Sequence, residues 1–271
     1  MNKTLKALLC LVFFISVSAK AQQESAGARL MAMGNCGTAV YDHWSSAYNQ
    51  AGVAFAEKAN VNTFYQRRFN IKELSTSAFS AIMPTRLINI ATDLKYFGYS
   101  KYNKTLCGVS FARLFGQRFA AGLRCSYLQE HIEGNSNKNR LFNLDCGVMA
   151  NLQPFVIGCK VQNIIPPDTY EYKYPEYETN GAVGVAWQPL SLFIFSAEIE
   201  SSLKSKILYR SGLEYTAWQI LQLRTGIIKQ NDQHAFTFGI GLLLKRFHVD
   251  IAMSKYQYLP FSQAFEAGVS F

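Results

Sequence analysis

From Asn60 onward, apolar and polar residues alternate with a period of two. Phe119, Ala121, Leu123, Cys125 and Tyr127 share one parity, and Ala120, Gly122, Arg124 and Ser126 share the other. Phe247, Val249, Ile251 and Met253 stand in the same way against His248, Asp250, Ala252 and Ser254. Successive side chains of a strand point to opposite faces, so each run is a strand with one apolar face and one small or polar face. The pattern predicts fourteen strands, near 60–68, 73–83, 86–98, 104–113, 118–130, 140–151, 154–164, 178–188, 191–200, 206–216, 219–229, 234–244, 246–255 and 260–271. The second, Leu74 to Met83, alternates poorly.

The connections fall into two groups. Those after even-numbered strands are tight, such as Pro84-Thr85, Gln153-Pro154, Gln188-Pro189 and Lys245-Arg246. The longest follow odd-numbered strands: Glu130 to Arg140, and Ile165 to Glu178 with Tyr170, Tyr172, Tyr174 and Tyr177. Short turns at one rim and long loops at the other are a property of outer-membrane barrels, and an even strand count suits antiparallel closure. A soluble sandwich would alternate equally well. Here, however, the polar parity is heavy in glycine and mixed-sign charge, as in a packed lumen. The expected fold is all-β: a transmembrane antiparallel barrel of about 14 strands with an N-terminal plug.

Residues 1–21 read as a cleavable signal peptide: Lys3 and Lys6, then apolar Ala7 to Val17, then Ala19-Lys20-Ala21. Residues 22–58 are rich in Ala and Gly, lack the alternation, and contain Asp42 as a candidate helix N-cap. They are the expected plug, with residues 59–271 forming the barrel and the cell outer membrane as the location.

Composition changes this picture little. Loss of Lys3, Lys6 and Lys20 with the leader lowers the formal charge from +9 to +6. The basic residues lie among acids rather than in a block, so nucleic acid is not an expected partner. Cys36, Cys107, Cys125, Cys146 and Cys159 are odd in number and show no metal-like spacing; the last four lie on apolar parity as small hydrophobes. Cys36 and His43, with Asp42 adjoining, make a poor nucleophile–base pair in a Gly/Ala-rich segment. Gly239-Ile-Gly241 lies mid-strand and is no phosphate loop. No catalytic residue, metal site or cofactor is expected, and the protein is read as non-enzymatic.

The polar parity carries Lys95, Arg124, Asp145, Lys160, Glu198, Glu200, Arg210, Glu214, Arg224, His248, Asp250 and Glu266. Ionised groups facing lipid cost several kcal/mol, so these are assigned to the lumen, bracing barrel and plug or selecting a permeant.

Gly27-Ala-Arg29-Leu-Met-Ala-Met-Gly34, then Ala39-Val-Tyr-Asp42, then Asn49-Gln-Ala51-Gly52-Val-Ala54 resembles the start of the FadL/PorV-like outer-membrane barrels. The likeness covers about 30 residues; Gln50 stands where the pattern has proline, and Asn35-Cys36 replaces the usual Gly-Ala. The resemblance implies a fourteen-stranded barrel with an N-terminal plug. Its branches are long-chain fatty-acid transporters and PorV/PorQ-like proteins of type IX secretion. The short chain leaves little loop length for a ligand vestibule, so the expected function is the secretion branch: an accessory of protein export or surface assembly. Passive transport of hydrophobic small molecules such as fatty acids is the alternative. The partners expected with it are outer-membrane lipid and lipopolysaccharide, the barrel-assembly machinery reading the terminal aromatic Phe271, and secretion-system proteins or exported cargo.

Overall fold

A computed structural model describes residues 26–134, 139–165, 178–202 and 207–271. The leader, the tip of the Glu130–Arg140 connection and the tyrosine-rich stretch containing Tyr170 to Tyr177 lie outside the described residues.

The strands are β1 (Asn60–Arg67), β2 (Ser75–Met83), β3 (Asn89–Tyr99), β4 (Tyr102–Phe115), β5 (Phe119–Ile132), β6 (Asn139–Leu152), β7 (Phe155–Gln162), β8 (Asn180–Leu190), β9 (Phe193–Ser202), β10 (Leu208–Ala217), β11 (Leu221–Gln230), β12 (Gln233–Leu244), β13 (Phe247–Tyr256) and β14 (Phe261–Ser270). Each pairs antiparallel with its chain neighbours, and β1 pairs with β14 to close the barrel. All fourteen expected strands are present, with ends moved by at most about three residues. β2 alternates in burial though hardly in hydropathy: Thr76, Ala78, Ser80 and Ile82 point inward. Its inner row is mostly small because it is packed against the N-terminal segment, where Ser80 Oγ donates to the His43 carbonyl at 2.9 Å.

The outward row is apolar and exposed along the wall, with Leu123, Val183, Ile199, Ile240 and Ile251 as examples. Near the short-turn rim, Phe155, Trp187, Phe195, Phe193 and Tyr215 follow one another ring to ring at 4.8–6.5 Å, a girdle of the kind that sits at a bilayer interface. A closed barrel with an apolar exterior and a charged interior is a membrane-spanning barrel. Cys107, Cys125 and Cys159 are exposed on this outer face and Cys146 is half-buried there, all as free thiols.

Residues 26–58 run inside the barrel as two short helices, α1 (Ala28–Ala32) and α2 (Ser45–Tyr48), and a 3-10 turn (Gln50–Phe55). Leu30, Met31, Met33, Trp44 and Val53 are buried to 1 % exposure or less and pack with inward Phe64, Ile82, Met149 and Val156. Burial of each large side chain stabilises by roughly 1.5–3 kcal/mol. The glycines of the inner face make this fit possible. A Cβ at Gly122, Gly158, Gly212, Gly226 or Gly239 would collide with Gln50, Thr38, Met33, Gly34 or Ala32 respectively. Their parity is thus set by the close approach of a second backbone.

Asp42 is not the N-cap of α2. Trp44 holds that position, and Asp42 sits two residues earlier in a turn, where Oδ1 accepts from the Trp44 N–H at 2.7 Å and Ser45 Oγ donates to its carbonyl at 2.9 Å. An Asp side chain satisfies local backbone N–H groups in a turn as well as at a cap, and the sequence signal for the two is the same.

Candidate functional site

The inward charges are paired. Arg124 donates to Asp93 at 2.6 Å and to Asp145 at 2.9 Å; Arg210 bridges Glu198 at 2.5 Å and Glu200 at 2.8 Å; Lys160 lies 3.8 Å from Glu200. Arg224 donates to Glu214 at 2.6 Å and to Asp250. Two of these arginines reach over a neighbouring strand, and a glycine lies beneath each. Gly108 on β4 sits under Arg124 on its way to Asp93, and Gly241 on β12 sits under Arg224 on its way to Asp250. Such buried charges persist only when compensated in this way.

The same carboxylates hold the N-terminal segment. Glu266 Oε2 accepts from the Ala28 N–H at 2.6 Å and its Oε1 accepts from Trp44 Nε1 at 2.7 Å. Arg29 donates to Glu214 through Nε and Nη2, both at 2.8 Å, and lies 4.0 Å from Asp42. Glu198 accepts from the Thr38 N–H at 2.9 Å, and Asp93 accepts from Ser46 Oγ at 2.7 Å. Asn49 donates to the Thr38 and Val148 carbonyls and accepts from the Ala51 N–H. Gly27 (φ 87°) lies against the Trp44 ring, and Gly34 (φ 68°) against the wall at Ser211 and Ile227. Gly52 packs on Ser45 and Tyr41, and Ala51 is fully buried. Phe271, exposed, donates its N–H to the Ala59 carbonyl at 2.8 Å.

Cys36 and His43 are not brought together. Cys36 lies by Ser196 and Glu198, where burial and then the Glu198 carboxylate push its thiol up to about 12. His43 stacks on His248 of β13 at 4.4 Å, and burial, then that second ring, lower it to about 4. His248, Asp250 and Glu266 place ligand atoms within 4.8 Å of one another. Yet Arg224 holds Asp250, and Trp44 and Ala28 take both oxygens of Glu266. The trio belongs to the ionic network.

At the short-turn end a cavity of about 410 Å³ lies between the segment and the wall, lined by Tyr41, Asp42, His43, Phe55, Ile82 and Leu243 among others. Toward the long-loop end the inner wall is different. Leu106, Leu128 and Leu141 are direct cross-strand partners on β4, β5 and β6, all on the inward parity, with inward Phe97 close by on β3. Sequence reasoning took the inward row as glycine and charge and missed these leucines. The signal was there: Leu128 shares the parity of Arg124 and Ser126, and the tight β4–β5 turn fixes Leu106 opposite it.

No family model and no curated protein matches the chain in sequence. Solved structures do match in architecture. The Pseudomonas putida toluene transporter TodX aligns with a TM-score of 0.66 at 11% identity over 93% of this chain and 98% of that one. The Ralstonia pickettii toluene transporter TbuX gives 0.65 at 10% identity over 92% and 99%, and a Pseudomonas aeruginosa FadL homologue 0.63 at 8% over 92% and 98%. The fold is that of the FadL-type outer-membrane channels.

This overturns the expectation of a secretion accessory of PorV/PorQ type, because the architecture is shared over nearly the full length with toluene transporters and a FadL homologue. The sequence misled for a physical reason. Gly27, Gly34, Asn49 and Gly52 encode how a segment packs inside a barrel, and that packing is the same problem whatever the barrel carries.

Proposed function

We propose that the protein is a passive outer-membrane conduit for small hydrophobic molecules, with residues 22–58 as its plug and residues 1–21 as the leader that exports it. The observation that carries this reading is the row Leu106–Leu128–Leu141. Leu128 and Leu141 are buried and Leu106 is half-buried; a lumen built only to be braced has no use for these adjacent leucines, whereas an apolar permeant needs such a surface to leave water. The paired charges on both sides of it and the glycine contacts below it support a plug that excludes ions and water. We place a sideways exit beside the row, where regular β6–β7 pairing stops at Cys146–Val161; past it Asn163, at φ 54°, turns the chain, and the Ile164 N–H still bonds the Leu144 carbonyl at 2.9 Å. In this role the outer face meets outer-membrane lipid and lipopolysaccharide, after insertion by the barrel-assembly machinery.

The test is uptake of radiolabelled toluene by cells with and without the protein, alongside a sugar of similar size. Faster toluene uptake with unchanged sugar uptake is the expected result. Equal toluene uptake, or equal acceleration of both, refutes a hydrophobic conduit.

A further inference from the structure

The cavity at the short-turn end has a chemistry of its own. One side is apolar: Tyr41 and Phe55 stack at 4.7 Å, with Ile82 and Leu243 beside them. The other side is charged, and its charges do not balance. Asp42, Glu57, Asp250 and Glu266 line the cavity and Glu214 stands behind it, five carboxylates against three cations, the guanidinium groups of Arg29 and Arg224 and the ammonium of Lys58.

Those guanidinium groups have little left to give. Arg29 commits Nε and Nη2 to Glu214 and Nη1 to the Tyr41 carbonyl. Arg224 commits Nε to Glu214, Nη1 to Asp250 and Nη2 to Gln222. An incoming carboxylate would therefore meet a surplus of negative charge, with both guanidinium groups already shared among carboxylate, carbonyl and amide oxygens. Asp42 is the opposite case. Its side chain is 3% exposed, Oδ1 accepts from the Trp44 N–H, and Oδ2 has Arg29 only at 4.0 Å. Burial, with Glu266 nearby and Arg29 opposing, raises its carboxyl to about 7, as expected where negative charge is in excess.

We propose that this cavity binds a small aromatic ammonium compound, its ring against Tyr41 and Phe55 and its ammonium at Asp42. The volume suits a one-ring ligand, the cation supplies the missing positive charge, and the aromatic pair adds a cation–π face. The inference goes beyond the transport reading, since equilibrium occupancy requires no passage through the barrel, and uptake and binding can fail separately.

The test is isothermal titration of the intact, detergent-solubilised protein with 2-phenylethylamine and with phenylacetate, which share a ring and chain length and differ in charge, after subtraction of micelle-only heats. The amine is expected to bind roughly tenfold more tightly, the worth of one charge-assisted hydrogen bond. Asp42→Asn, which keeps an oxygen for the Trp44 N–H, is expected to abolish that preference. Leu243→Trp, at the exposed inner rim, is expected to weaken both ligands by filling the cavity. The proposal is overturned if the wild type binds phenylacetate as tightly as the amine or binds neither, or if folded Asp42→Asn keeps the preference. Should Asp42→Asn fail to assemble, the wild-type preference and the Leu243→Trp loss still decide.

Discussion

The two halves of the lumen solve different problems. In the half toward the short turns, two backbones approach until only glycine fits between them, and every strong acid there is answered by arginine or by an N–H of the inner segment. In the half toward the long loops buried pairs continue, Lys104 with Glu130 and Arg210 with Glu198 and Glu200, but β4, β5 and β6 add an apolar inner row at Leu106, Leu128 and Leu141. In the proposed conduit, dense pairing closes the lumen to water and ions. An apolar wall makes a surface that an apolar molecule prefers to water. A passive conduit for hydrophobic molecules needs both, in series.

The largest expected effect comes from removing one half altogether. Deletion of residues 27–56 is expected to give steady ion conductance in planar bilayers where the intact protein stays closed; a deleted barrel that assembles and remains closed would show that the wall, not the segment, seals it. Next comes Arg224→Leu, which strands Asp250 and half of the Glu214 pairing. Breaking a buried ion pair by removing one partner costs about 3–5 kcal/mol, to be read from urea unfolding in lipid vesicles. On the outer face, Ile251→Arg is expected to cost roughly 2–4 kcal/mol by the same assay if it lies near the bilayer midplane, and an insensitive Ile251 would place that face away from lipid. Gly158→Val is expected to cost about 1–3 kcal/mol, because its Cβ meets the Thr38 carbonyl, and to loosen the segment without opening the barrel fully. A neutral Gly158→Val would mean that the two backbones are not held together.

Much of this architecture was legible because a barrel wall is a local code. A period of two names the faces, and tight turns fix the register, so Glu214 opposite Arg224 follows from its hairpin alone. The contacts of the inner segment are not local. Glu266 with the Ala28 N–H, or Arg29 with Glu214, join residues far apart in the chain that no periodicity relates. β2 looked irregular because its inner row answers to the segment rather than to lipid. The same blindness hid the leucine row. Three leucines on polar parity in three separate strands carry no message until the register lays them side by side. Ala252 shows the reverse: parity makes it a permissive inward position, but it is fully buried in the core shared with the segment.

The claim that the apolar half receives the permeant is tested most directly by measuring toluene uptake in cells carrying the double variant Leu128→Asn, Leu141→Asn, at surface levels matched to wild type and with ion conductance checked in parallel. The account predicts that uptake falls toward that of cells lacking the protein while the barrel stays closed to ions. Uptake equal to wild type from a correctly assembled double variant would contradict it.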